Sequence, residues 1–66
     1  MAIAKVIEIS AESEQGFEDA IRRGIEGAGK TVRNMRSAWI KEQEVVVENN
    51  RAARYRVMMK ITFLVE

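Results

Sequence analysis

An α+β fold of order β-α-β-β, with a three-stranded antiparallel sheet and one helix, is predicted by three patterns in these 66 residues. Ala53 to Val65 alternates strictly, with Ala53, Tyr55, Val57, Met59, Ile61, Phe63 and Val65 on one face. From Phe17 to Met35 the apolar residues Phe17, Ile21, Ile25, Ala28, Val32 and Met35 recur every three or four positions, the mark of a one-sided helix. Ile3 to Ser10 is a short run rich in β-branched residues, as strands are.

In the first strand, Ile3, Ile7 and Ile9 point one way and Ala4, Val6 and Glu8 the other. Ser13 then offers a hydroxyl to cap a helix over Glu14 to Met35, with Glu12 and Glu14 near the positive end of its dipole. Gly24, Gly27 and Gly29 cost that helix about 1 kcal/mol each relative to alanine. Gly24 lies beside the apolar stripe, which points to a close backbone approach. Gly27 and Gly29 mark a weakened stretch between Ile25 and Thr31. A second strand covers Ala38 to Val47. Asn49 and Asn50 supply the turn, because asparagine tolerates positive φ. The long alternating strand from Ala53 to Val65 closes the chain, its other face carrying Arg54, Arg56, Met58, Lys60, Thr62 and Leu64.

Residues 1–66 make a single small domain whose core is marginal by size. There is no cysteine and no histidine, so neither a disulfide nor a Cys/His zinc site supports it. Self-association is the remaining remedy, and the unpaired sheet edges invite it. Eleven basic and ten acidic residues are interspersed, which argues against a nucleic-acid partner. No apolar run is long enough to span a membrane, and "MAIAKVIEIS" lacks the order of a signal peptide, so a cytoplasmic protein is expected.

Few residues suit catalysis, since no nucleophile has an identifiable base. Gly24 to Thr31 reads G-x-x-x-x-G-K-T, but a phosphate loop joins a strand to the start of a helix, and this segment lies within a helical stripe. Glu42, Glu44 and Glu48 recur on the second strand. They suit either a hard cation such as calcium or a solvated face paired with Arg54, Arg56 and Lys60. Trp39, the single tryptophan, also has two readings. One is a residue at the rim of the core. The other is a platform for a planar ring, with Arg56 and Gln43 bonding the ligand's polar edge.

"KVIEISAESEQGFEDAI", "KTVRNMRSAW" and "RYRVMMKITFLVE" together resemble the dodecins, small flavin-binding proteins, over nearly the whole chain. The resemblance implies a sheet partly wrapped around its helix and a hollow homododecamer. It further implies flavin (FMN, riboflavin or FAD) stacked at subunit interfaces on a tryptophan whose position Trp39 matches. Arg56 is implied as the edge-binding partner, with Gln43 and Lys5 as secondary candidates. The implied role is storage and buffering of flavin without turnover. Flavin-binding members commonly carry glutamine where this chain has Arg56, and those favouring FMN often carry arginine where it has Leu64. The Tyr55-Arg56 pair and the short connection from Trp39 to Tyr55 are similar instead to a calcium-binding subgroup.

Overall fold

The computed structural model describes residues 3–65. Four elements follow in the order β1 (Ile3–Ser13), α1 (Phe17–Ala28), β2 (Met35–Glu48) and β3 (Arg51–Val65). The sheet order is β1-β3-β2, with both pairings antiparallel, so the most regular strand of the sequence is the central one. α1 packs on β1 and β3. Val57, Met59 and Ile61 on β3 are fully buried beneath it with Ala20, and Phe17, Ile21, Ile25, Ile9 and Ala11 close around them.

The helix is shorter than its apolar spacing predicts, twelve residues instead of the span from Glu14 to Met35. Ser13 is not its N-cap. It ends β1, almost buried, and its hydroxyl accepts from the Gln15 N–H at 2.9 Å while donating to Asp19 Oδ2 at 2.5 Å. Gly16 occupies the cap without a side-chain bond, and Ser13 fixes the first turn through Asp19 instead. At the other end the helix stops within the glycine-rich stretch, where low propensity meets a last turn that holds no basic residue. Asn34, at φ 61°, turns the chain into β2 and accepts from the Leu64 N–H at 3.1 Å. Met35 therefore continues the stripe from a strand, its methyl lying against Gly29. The G-x-x-x-x-G-K-T segment thus straddles the C-terminal end of a helix, where the dipole repels phosphate.

Gly24 fills its predicted role. A Cβ there would run into the Met59 methyl and stand 3.0 Å from the Ala11 Cβ. The β2–β3 turn also matches expectation, with Asn49 and Asn50 at φ 55° and 60°, the geometry that favours a tight hairpin. The hairpin runs past the end of β1, and the molecule is 52 Å long and 13 Å thick. Among the described residues no helix is long and apolar enough to cross a membrane.

Candidate functional site

Directly opposed residues of an antiparallel pair share a face, so the register sorts the candidate residues. Trp39 lies opposite Lys60, and Lys60 lies opposite Glu8 on β1. This row is on the face away from α1, because the intervening Ile61 and Met59 carry the core. Trp39 is 65% exposed, so the core-rim reading does not hold within the protomer. The Lys60 ammonium sits 5.5 Å from the centre of its ring. At an exposed site such a cation–π contact contributes about 0.5–1 kcal/mol.

A β-bulge separates Trp39 from Gln43. Ile40 pairs with Met59 and Glu42 with Met58, which leaves Lys41 as an extra residue. Lys41 reaches across the open face to Glu8 at 3.1 Å. Beyond the bulge the parity reverses, so Glu42 and Glu44 join the face of Trp39, while Gln43 pairs with the buried Val57. Gln43 still borders a depression of about 470 Å³ shared with Glu42, Glu44, Arg56 and Met58. Lys5 pairs with Phe63 and lies on the helix-side face, on the strand furthest from Trp39.

Arg56 does share the open face. It stands four residues from Lys60 along β3, about 13 Å at roughly 3.3 Å per residue. Its guanidinium is already engaged. Nε donates to Glu12 Oε2 at 2.7 Å, with NH2 also 2.7 Å from that oxygen, and NH1 donates to Glu44 Oε1 at 2.9 Å. Glu12, foremost through its hydrogen bond, and then Glu44 raise the Arg56 pKa above its ordinary value. Arg54 adds 3.4 Å and 3.3 Å ion pairs to Glu12 and Glu48. Arg56 therefore ties all three strands together.

The same pairs account for two of the three acidic residues of β2, and Glu42 is in no ion pair among the described residues. Glu44 and Glu48 meet Arg56 and Arg54 as the solvated-face reading expects, whereas Lys60 turns to Trp39 instead. Among the described residues no three carboxylates gather into a cluster able to hold a metal ion. Strand alternation by itself presents Lys60 only as a pairing partner for glutamates and misses it as a neighbour of the site. Its contact with Trp39 follows once the register is known.

The family model described as Dodecin matches residues 3–66. No curated protein matches the chain. Among solved structures, a dodecin from Streptomyces davaonensis is 28% identical with a TM-score of 0.94, covering 98% of this chain and 96% of its own. A Thermus thermophilus dodecin carrying a tryptophan-to-phenylalanine substitution is 27% identical, also at 0.94, with coverage of 100% and 98%. The calcium dodecin of Mycobacterium tuberculosis, a calcium-chelating antigen with a calcium-binding site, is 26% identical at a TM-score of 0.85, with coverage of 97% and 91%.

Proposed function

The chain belongs to the dodecin family, and on that premise we propose that it is a self-assembling flavin-binding protein that stores its ligand on Trp39 at contacts between subunits. The observation that carries this reading is the exposure of Trp39. A small domain with a marginal core leaves its largest aromatic side chain on an open sheet face instead of burying it. Indole in that setting offers a broad apolar face to a planar ring, and stacking of this kind contributes about 1–3 kcal/mol. Lys5 and Gln43 are turned from Trp39 by their own strands, so within one protomer neither serves a ring stacked there. Storage, not turnover, suits a site with no acid, base and nucleophile in combination.

Titration of riboflavin into flavin-free protein tests the reading. Flavin fluorescence is quenched by the native chain, and Trp39→Ala weakens binding about tenfold or more, from the stacking term. Equal quenching by Trp39→Ala contradicts it.

A second reading, a shell that binds calcium, has one observation in its favour. Glu12, Glu42, Glu44 and Glu48 share the hairpin end of the open face with Arg51, Arg54 and Arg56, one carboxylate in excess, and Glu42 is in no ion pair among the described residues. Calorimetry of the flavin-free protein with calcium separates the two, as heat in the micromolar to millimolar range belongs to the calcium reading alone.

A further inference from the structure

Charge is distributed unevenly along the open face. Towards the hairpin, Glu12, Glu42, Glu44 and Glu48 share the face with Arg51, Arg54 and Arg56, one negative charge in excess. Around Trp39, Lys41 and Lys60 meet the carboxylate of Glu8, directly opposite Lys60, with Glu42 next along the same face opposite Met58. Glu8 is taken by Lys41 at 3.1 Å. Lys60 is in no ion pair among the described residues, and its half-buried stem holds the ammonium 5.5 Å from the Trp39 ring centre.

We infer that Lys60, and not Arg56, is the specificity-determining residue of the Trp39 site, and that it selects planar ligands carrying an anionic group, such as a flavin with a phosphate monoester. The inference rests on the flavin reading and names the polar partner of its site. Arg56 has three donors fixed on Glu12 and Glu44 and stands about 13 Å along the strand, at roughly 3.3 Å per residue. Recruiting it means breaking charge-assisted bonds in a region of negative excess. Lys60 has no carboxylate to give up among the described residues. A neutral ring arriving on the indole displaces the ammonium and brings no charge to compensate it. A ring bearing a phosphate, with about −1.5 to −2 charges near neutral pH, displaces the same ammonium and then pairs with it. The ligand is thereby oriented, with its anionic end beside Lys60 and away from Glu12 and Glu44.

The test compares riboflavin with riboflavin 5′-phosphate by fluorescence quenching on the assembled protein, for the native chain, Lys60→Met and Lys60→Arg. Light scattering verifies that each variant keeps its mass. The native chain binds the phosphate form about three- to fivefold more tightly at low salt, the range of an exposed ion pair, and the preference fades as salt rises. In Lys60→Met the two affinities converge, mainly through loss of the phosphate form, and Lys60→Arg restores the preference. Equal affinities in the native chain, or a preference that survives Lys60→Met, overturn the inference while leaving the flavin reading intact. Quenching by neither flavin overturns both.

Discussion

Ser13 links the end of β1 to the first turn of α1. Its hydrogen bond to Asp19, followed by that from Arg23 Nε at 2.6 Å, lowers the Asp19 pKa below the ordinary carboxylate range. A carboxylate depressed in the folded state contributes stability that is fully present above its unfolded pKa, about 4, and is lost as pH falls through the folded value. Stability of the native chain therefore declines below about pH 4, and Asp19→Asn flattens this part of the profile in denaturant melts run from pH 6 to 2. Ser13→Ala removes the leading cause of the shift and costs about 1 kcal/mol at neutral pH. An unchanged acid limb in both variants excludes the coupling. Ser13 was legible in the sequence as a helix-start residue, but its partner was not. A serine before a helix looks the same whether it caps the backbone or anchors a first-turn aspartate.

The glycines of α1 divide by what surrounds them. Gly24 faces the buried Met59 and Ala11, so Gly24→Ala overpacks the core at about 1–3 kcal/mol, more than the gain of about 1 kcal/mol in helix propensity. Gly27 faces open space, with nothing beyond its own helix within 4 Å of where a Cβ would stand, so Gly27→Ala stabilises by up to about 1 kcal/mol. Thermal melts of the two variants shift in opposite directions, and a shared direction contradicts the packing described. The close approach at Gly24 and the Asn49-Asn50 turn were legible because each needs a particular residue type locally. The end of α1 was not, since Val32 and Met35 extend the helical spacing although Met35 belongs to β2. The bulge at Lys41 leaves no sequence mark either. It moves Glu42 and Glu44 onto the face of Trp39 and turns Gln43 away, so simple alternation misplaces all three.

The whole molecule is a long, thin plate with a helix on one side and much apolar surface left over. Ile3 and Val6 on one edge strand, Val45 and Val47 on the other, and Trp39 on the open face are all exposed. Edges of this kind pair or are covered in native proteins, and closed symmetric assembly does both. The β-α-β-β order and the three-stranded antiparallel sheet were legible from the hydrophobic patterns, whereas the strand order that puts β3 in the centre was not, and the partners of these surfaces lie outside a single chain. The most direct test is size-exclusion chromatography of the protein with excess riboflavin, with scattering mass and flavin absorbance followed together. We expect a mass near about twelve protomers, with flavin absorbance co-eluting for the native chain and lost at unchanged mass in Trp39→Ala. An assembly of that mass that elutes without flavin, or Trp39→Ala that retains it fully, would contradict a flavin store built on Trp39.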